Sequence, residues 1–296
     1  MPFRALIPPL TAVLLITIGL APGRAAAQAP AAGTSASGGL GWRAAAAPFR
    51  LTFVRAGRPL LAQASGARTD GAGRMGYDLA DGTAHQVTGL IRQREVAGGT
   101  EYVVATDEPD RTATVTVRRT PRGLRVGWTF TPATDVIRVH EALTGSSHGE
   151  HFLGGGANAT FVDLSRHIIL DKVLFAGAGQ FDSCTKTSAA SPFFLSSHGY
   201  AVFPDTTAIG RLAFPDAVDS PPDCGGANPP PCPVLTGVPD RTQLCFKTDR
   251  LAYEVYAGPP AEVVRDYTAL AGRPDLPRKA DRLMARPHRG WPHFEI

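Results

Sequence analysis

Five histidine and glutamate residues lie close together in the middle of the chain, and these residue types carry acid–base or metal chemistry. They are His140, Glu141, His148, Glu150 and His151. A neutral imidazole binds transition metals and accepts protons, and a nearby carboxylate can orient it. The same stretch contains Gly145-Ser146-Ser147-His148-Gly149, which is typical of a polar loop between strands. Both interpretations stay open, and the sequence favours the loop.

A second cluster, basic and aromatic, lies near the C-terminus. Its members are Arg282, Arg286, His288, Arg289, Trp291, His293 and Phe294. Arginine beside aromatic rings is typical of a site that binds nucleic acid or an anionic glycan. The alternative is that these residues are the first strand of a barrel, left without its neighbouring strands. The formal net charge of the chain is +4, and the other basic residues are scattered. This balance gives no support to nucleic-acid binding, and we expect no nucleic-acid partner.

Four cysteines, Cys184, Cys224, Cys232 and Cys245, predict two disulfides in an exported chain. Their spacing lacks the two close Cys-x-x-Cys pairs of a zinc ribbon, so we expect neither a metal nor another cofactor. Three pairings are open. Because Cys224 and Cys232 flank a loop rich in glycine and proline, we prefer a local bridge there and a second bridge from Cys184 to Cys245.

The N-terminus predicts export. Arg4 precedes an apolar run from Leu6 to Leu20, and Ala25-Ala26-Ala27 supplies the small residues of a cleavage site. We therefore expect a signal peptide at residues 1–27 and a flexible leader, rich in alanine, glycine and serine, at residues 28–47. An uncleaved membrane anchor is the alternative. No second long apolar run follows, so we expect a secreted or extracytoplasmic protein, free of the membrane after cleavage.

Short segments with alternating apolar residues dominate the rest of the chain. In residues 112–117 and 124–130, every second side chain is apolar, and Pro121-Arg122-Gly123 forms the turn of a hairpin between them. Similar strands are predicted near residues 49–53, 137–139, 193–203, 209–214 and 244–255. Many short strands with turn residues between them predict a mostly-β fold, an antiparallel β-sandwich.

One helix is predicted at residues 261–271. Proline at the preceding positions suits a first helical turn, and Gly272 suits its end. One apolar stripe at helical spacing comprises Val263, Val264, Tyr267 and Leu270.

Three further stretches carry recognisable motifs. They are His151–Ala157 with the following Phe161–Leu164, then Pro192–Phe203, and then Tyr253–Pro259 with a Leu-Pro exit at Leu276-Pro277. Together they resemble the N-terminal β-sandwich of glycoside hydrolase family 31, the α-glucosidase and α-xylosidase family. The resemblance implies a galactose-mutarotase-like sandwich with one C-terminal helix over residues 48–277. Two departures are Ala157, where the family usually has glutamate, and the apparent insertion that holds Cys224 and Cys232.

In that family, two carboxyl groups on a following (β/α)8 barrel perform retaining hydrolysis. Such chemistry places the carboxyls about 5–5.5 Å apart, and a barrel needs about 250 residues. Residues 278–296 are too few for a barrel and lack a nucleophile segment like Trp-x-Asp-x-Asn-Glu. We therefore expect them to be unstructured or the orphan start of a barrel. The resemblance thus implies a non-catalytic domain that handles carbohydrate of the α-glucan or α-xyloside class, together with a separately encoded catalytic barrel.

The resemblance also implies a site. In complete family members a loop of the sandwich reaches the substrate pocket, and Asp163, Leu164, Ser165 and Arg166 match that loop. Phe152 and Phe161 are candidates for stacking on sugar, with the core as the alternative place for both rings. Two other functions stay open. One is a stand-alone enzyme like the aldose mutarotases, using the histidine and glutamate cluster, and the other is a simple carbohydrate-binding module with exposed aromatic rings.

Overall fold

The computed structural model describes residues 39–67, 73–145, 149–158, 162–166, 168–171, 187–217, 232, 234–235 and 237–272. The predicted signal peptide at 1–27, the beginning of the leader and the tail at 278–296 lie outside these residues. So do His148, Phe161, Cys184 and Cys224. No helix within the described ranges has the length and apolar character needed to cross a membrane.

The described chain is an antiparallel β-sandwich with one C-terminal helix, as the sequence predicts. The first strands are β1 (Leu40–Ala46), β2 (Phe49–Arg55), β3 (Arg58–Gln63), β4 (Gly76–Leu79), β5 (Ala84–Val96), β6 (Gly99–Thr106), β7 (Thr112–Arg119) and β8 (Leu124–Thr131). The remaining elements are β9 (Val136–Thr144), β10 (Phe152–Asn158), β11 (Ile168–Asp171), β12 (Thr187–Ser196), β13 (Tyr200–Pro204), β14 (Gly210–Ala213), β15 (Arg241–Phe246), β16 (Arg250–Ala257) and α1 (Pro260–Ala271).

Two sheets form the layers, and the long strand β5 belongs to both. The first sheet contains β1, β2, β3, β9, β4 and the beginning of β5, and β15, β14 and β11 extend it from the other side of β9. The second runs β5-β6-β7-β8-β16-β13-β12-β10. Register shifts between Val87 and Arg92 mark bulges in β5. Because bulges bend a strand, β5 can pass from one layer to the other.

The core lies between the layers, on the inward positions of alternating strands. In the predicted hairpin, which forms β7 and β8, the inward side chains from Ala113 to Phe130 are at most 3% exposed. Trp128 and Phe130 meet edge to face, with ring centroids 5.3 Å apart. The alternation read from the sequence therefore gives the buried face of these strands correctly.

The predicted leader is wrong at its C-terminal end, because residues 40–46 form strand β1. Leu40, Trp42 and Ala44 are all at most 5% exposed, and β1 pairs with β2 along its whole length. Alanines at residues 44–47 give the segment a linker-like composition. The period of two carried by Leu40, Trp42 and Ala44 places it in the sheet.

The preferred cysteine pairing is also wrong, since Cys232 is bonded to Cys245, with Cα atoms 5.6 Å apart. Cys245 therefore does not pair with Cys184, nor Cys232 with Cys224. The segment around residue 235 runs beside strand β15, where the Gln243 side chain hydrogen-bonds both the N–H and the carbonyl of Leu235 at 2.8 Å. This packing brings Cys232 to the strand, whereas proximity along the chain favours Cys224.

The helix occupies its predicted position, but its apolar stripe is only partly buried. Val263 is 1% exposed, and the ring of Tyr267 stacks on Phe193 with centroids 4.0 Å apart. Val264 and Leu270 are 41% and 53% exposed. The helix therefore contacts the second sheet along a narrower line than the sequence pattern predicts.

Candidate functional site

The histidine and glutamate cluster of the sequence does not form one site. Successive side chains of β9 point to opposite faces, so Glu141 lies between the sheets while His140 lies on the other side of its sheet. Glu150 and His151 come after β9 and reach a different edge of the molecule. His148 lies outside the described residues. The geometry therefore assembles no metal site or acid–base pair from the four described members.

Glu141 is fully buried and accepts three hydrogen bonds from neutral groups. Its Oε1 accepts from Gln63 Nε2 and the Tyr253 hydroxyl, both at 2.7 Å, and its Oε2 accepts from Trp128 Nε1 at 3.1 Å. Burial raises the pKa of Glu141 to about 7, while the three donors act in the opposite direction. With 0% exposure, this carboxyl belongs to the core and does not touch a substrate.

His140 is also fully buried, and it is part of an ion-pair group. Its Nε2 lies 2.9 Å from Asp78 Oδ2, and Arg138 Nε lies 2.7 Å from the same oxygen. A buried carboxylate held by a guanidinium and an imidazole is a structural arrangement that ties β4 to β9.

The candidate site lies at the start of β10, where residues 150–152, the loop 162–166 and the turn 197–199 meet. We call this group the surface cluster. The N–H of Ser197 donates to the His151 carbonyl at 2.9 Å, and the N–H of His151 donates to Ser197 Oγ at 3.0 Å. These bonds join the start of β10 to the turn after β12, so the paired strands β10 and β12 position the cluster.

The glycines of β10 explain why this edge of the sheet is so compact. Gly154 has a φ of +124°, and a Cβ there would lie 2.4 Å from the Phe193 carbonyl oxygen on β12. A side chain at residue 154 would therefore force the two strands apart. The Gly-rich motif read from the sequence thus has a structural cause, which is close approach of β10 to β12.

Asp163 is the centre of the surface cluster. Its Oδ2 lies 2.6 Å from His151 Nδ1, and its Oδ1 accepts from the N–H groups of Phe152 and Ser165 at 3.1 and 3.0 Å. The Ser165 hydroxyl donates to the same oxygen at 2.7 Å. Partial burial works to raise the pKa of Asp163, but these hydrogen bonds outweigh it and hold that pKa well below its usual range. The carboxylate is therefore ionised and fixed in orientation.

Glu150 forms the floor beside Asp163. Its Oε1 accepts a short hydrogen bond from the Ser196 hydroxyl, and its Oε2 lies 3.5 Å from His198 Nδ1. The Glu150 side chain is 1% exposed, whereas His198 is 42% exposed. The Ser165 hydroxyl contacts the Glu150 carbonyl at 3.1 Å, which links the floor to the loop.

The loop presents some of its predicted residues to solvent and buries another. Asp163 and His151 side chains are 42% and 64% exposed, Val162 is 80% exposed, and Arg166 is exposed as well. Arg166 has a φ of +67°, and its N–H donates to the Pro215 carbonyl at 3.0 Å. Leu164, in contrast, is fully buried in the core. Of the four predicted loop residues, Leu164 thus faces the core, while Asp163 and Arg166 face solvent.

The proposed stacking role is wrong for Phe152. Its ring is 0% exposed and packs against Phe214 and Phe194, with centroids 5.1 and 6.2 Å away. Phe161 lies outside the described residues. Among the described large hydrophobic residues that are exposed, all are aliphatic: Ile91, Ile137, Leu153, Val162, Ile209, Val264 and Leu270. The described surface therefore offers no aromatic platform of the kind a simple carbohydrate-binding module would use.

Sequence reasoning found Asp163 and its loop but missed the partners His151, Ser196 and His198 as parts of one cluster. One signal was available, because an aspartate two residues before a serine is a common local turn in which the carboxylate accepts from the later N–H. The other contacts join segments far apart in the chain. They follow from strand pairing, and no local spacing predicts them.

The described residues define a fold class, the antiparallel β-sandwich with one C-terminal helix. No protein-family model matches the chain, and no curated protein matches it significantly. The chain is similar in structure to a family 31 glycoside hydrolase from E. rectale, a sulfoquinovosidase, with a TM-score of 0.49 and 12% identity over 76% of this chain. A family 31 dextranase from Flavobacterium johnsoniae gives a TM-score of 0.39 and 13% identity over 84% of this chain.

A third similar structure is an α-N-acetylgalactosaminidase from Bifidobacterium bifidum, with a TM-score of 0.48 and 14% identity over 81% of this chain. The matched parts cover 33%, 28% and 39% of the three enzymes, respectively. The chain thus spans about a third of each protein it resembles. At these identities the likeness concerns the fold.

Proposed function

We propose that this chain is an exported, non-catalytic carbohydrate-binding and scaffold domain that uses loop 162–166 to form one wall of a sugar site. A separately encoded barrel of the glycoside hydrolase family 31 type would supply the catalytic wall. The proposal rests on the three family-like motifs and on where the described part of the chain places them. The Gly-rich segment forms β10, the Pro-Phe segment forms β12 and β13, and the third segment forms β16 and α1.

One observation carries the proposal, namely that Asp163 is both rigidly held and open to solvent. Asp163 receives bonds from two backbone N–H groups, a hydroxyl and an imidazole, yet its side chain stays 42% exposed. Preorganised polar groups of this kind give a binding site orientation at low entropic cost.

The exposed groups suit the chemistry of a sugar. An ionised carboxylate accepts hydrogen bonds from hydroxyls, a guanidinium donates to them, and the ring nitrogen of an imidazole accepts or donates according to its protonation. Asp163, His151 and Arg166 supply these three groups. Val162 and Leu153, which are 80% and 42% exposed, add apolar surface for the C–H face of a ring. The α-glucan and α-xyloside classes follow from the sequence resemblance.

The state of Asp163 supports a binding role over a catalytic one. Retaining hydrolysis needs two carboxyls about 5–5.5 Å apart, one of them protonated to act as the acid. Asp163 is held in its ionised form by four hydrogen bonds, and the neighbouring Glu150 is covered by Ser196 and is 1% exposed. The same arrangement makes Asp163 a fixed acceptor for a hydroxyl group.

Calorimetric titration of the full chain with maltose, isomaltose and xyloglucan oligosaccharides tests this proposal. We expect saturable binding of at least one sugar, which Arg166→Ala weakens several-fold. Arg58→Ala, which removes an exposed guanidinium at the beginning of β3, is the matched control and should leave the affinity unchanged. Turnover of an α-glucoside, faster interconversion of anomers, or no binding of any of these sugars would each contradict the proposal.

Export has its own test. The N-terminal sequence of the protein recovered from outside the producing cell should begin at Gln28, because the small residues at 25–27 form the predicted cleavage site. A recovered chain that retains Met1 and stays with the membrane fraction would favour the uncleaved anchor.

A further inference from the structure

Glu141, an ionisable residue in the interior, plays no part in the proposed surface site. It lies on β9 of the first sheet, and its side chain reaches across the core to the second sheet. Trp128 on β8 and Tyr253 on β16 both donate hydrogen bonds to it from that sheet, at 3.1 and 2.7 Å. The carboxyl therefore links the two layers directly.

The first sheet adds a further donor and extends the network. Gln63 on β3 donates to Glu141 at 2.7 Å, and Gln63 Oε1 accepts the backbone N–H of Leu51 on β2 at 2.8 Å. The Tyr253 hydroxyl lies 3.2 Å from Gln63 Nε2. One buried carboxyl and its partners thus connect strands β2, β3, β9, β8 and β16.

The groups that face the carboxyl are neutral. Gln63 and Trp128 do not ionise in the accessible pH range, and burial raises the pKa of Tyr253 well above its usual value. Within the described residues, no arginine, lysine or histidine hydrogen-bonds to Glu141. An ionised carboxylate at 0% exposure without a cationic partner is costly, because it loses hydration that neutral donors replace incompletely.

We propose that Glu141 makes the packing of the two sheets pH-sensitive, because this fully buried carboxyl joins the sheets through neutral donors. The folded domain then favours acid conditions, which is a regulatory property separate from sugar binding at loop 162–166. Burial raises the pKa of Glu141 from 4.5 to about 7, which agrees with the position and surroundings of the group.

The sign of the effect follows from linkage between protonation and folding. Between pH 4.5 and 7 the unfolded chain has lost the Glu141 proton, whereas the folded chain still holds it. The contribution to stability is therefore fully present below pH 4.5, falls progressively as the pH rises, and is lost above pH 7. The folding equilibrium constant should fall by a factor on the order of one hundred from this group.

Urea unfolding of the full chain at intervals between pH 4.5 and 8.5 tests this inference, with Glu141→Gln as the variant. Glutamine keeps the size of the side chain and an acceptor oxygen but does not titrate. Because the two proteins differ only at residue 141, the difference between the two curves isolates Glu141. We expect the wild type to lose on the order of one hundredfold in folding equilibrium constant relative to the variant. Glu262→Gln, at an exposed position of α1, is the matched control and should follow the wild type.

A second measurement works on the unaltered protein and does not depend on whether the variant folds. The indole N–H of Trp128 donates directly to the Glu141 carboxyl, so its nuclear magnetic resonance signal should shift when that carboxyl ionises. We expect a titration midpoint well above 4.5 and near 7. A midpoint near 4.5, or equal pH slopes for wild type and Glu141→Gln, would overturn the inference. Loss of sugar binding would not affect either readout.

Discussion

Two carboxylates, Glu141 in the core and Asp163 at the surface, each receive several hydrogen bonds, yet the protein puts them in opposite states. Glu141 accepts from three neutral side chains, is fully buried, and has its pKa raised to about 7. Asp163 accepts from an imidazole, a hydroxyl and two backbone N–H groups, stays partly exposed, and has its pKa lowered.

The difference teaches that the number of hydrogen bonds does not set the state of a carboxyl. The balance between lost hydration and the hydrogen bonds that replace it decides that state. At Glu141 the loss of hydration outweighs three donors, so the residue acts as part of the packed interior. At Asp163 the donors outweigh modest burial, so the residue is a fixed anion whose Oδ2 accepts one bond, from His151, while Oδ1 accepts three. The hydrogen bonds of Glu141 join the two sheets, and those of Asp163 hold loop 162–166 at the surface.

The largest expected effect comes from removing the buried carboxyl. Glu141→Ala leaves the donors on Gln63, Trp128 and Tyr253 without an acceptor, and it opens a cavity. We expect a loss of about 4 kcal/mol in the free energy of unfolding, measured by urea unfolding at pH 6. Glu262→Ala on the exposed face of α1 should change it by less than about 0.5 kcal/mol. A loss below about 1 kcal/mol for Glu141→Ala would show that the network is dispensable.

Replacing the indole donor of Trp128 sharpens the comparison, because the stability that its hydrogen bond contributes should depend on the charge of Glu141. Trp128→Phe should cost about 2 kcal/mol, and the cost should be larger at pH 8 than at pH 5, where the carboxyl is neutral. Trp42→Phe is the matched control, since Trp42 donates to the neutral Tyr102 hydroxyl at 2.9 Å. The control should cost the same at both pH values, and equal behaviour of the two variants would contradict an ionisable Glu141.

At the surface, the corresponding change should have a local effect. Asp163→Ala removes the acceptor of the Phe152 and Ser165 N–H groups, so hydrogen exchange at these two amides should rise at least about tenfold. The global free energy of unfolding should fall by about 1 kcal/mol, because the site is partly hydrated. Asp163→Asn, which keeps one acceptor oxygen, should show a smaller rise. Unchanged exchange in Asp163→Ala would mean that the loop is held by its backbone alone.

The smallest expected effect is the part of the decline in folding stability at low pH that comes from Asp163. Its lowered pKa contributes stability that is present above the usual value of 3.8 and is lost as the pH falls below it. Asp163→Asn should therefore flatten the decline of stability below pH 4 and leave the curve between pH 5 and 8 unchanged. Identical acid limbs for the variant and the wild type would break the contrast with Glu141, whose effect lies at higher pH.

Local patterns predicted the strands where apolar and polar residues alternate, as in β7 and β8, and they predicted the position of α1. They failed for β1, where alanines conceal the period carried by Leu40 and Trp42. The helix stripe was too wide because the sheet meets the helix near Val263 and Tyr267, and nothing described packs over Leu270.

The site was predicted less fully than the fold. Residues 163–166 were found through family-like motifs, and the Asp163–Ser165 turn is local. The bond from His151 to Asp163 spans 12 residues. The floor formed by Glu150 with Ser196 depends on strand pairing over 46 residues. The disulfide from Cys232 to Cys245 has the same origin, since a returning strand brings the two residues together.

The measurement that tests the account most directly is a nuclear magnetic resonance titration of the ¹⁵N-labelled full chain with isomaltose. If loop 162–166 forms one wall of a sugar site, the amide shifts should be concentrated at residues 151–153, 162–166 and 197–199 and should saturate, while the sugar stays intact. Shifts centred on another face of the sandwich, or glucose released during the titration, would contradict the account.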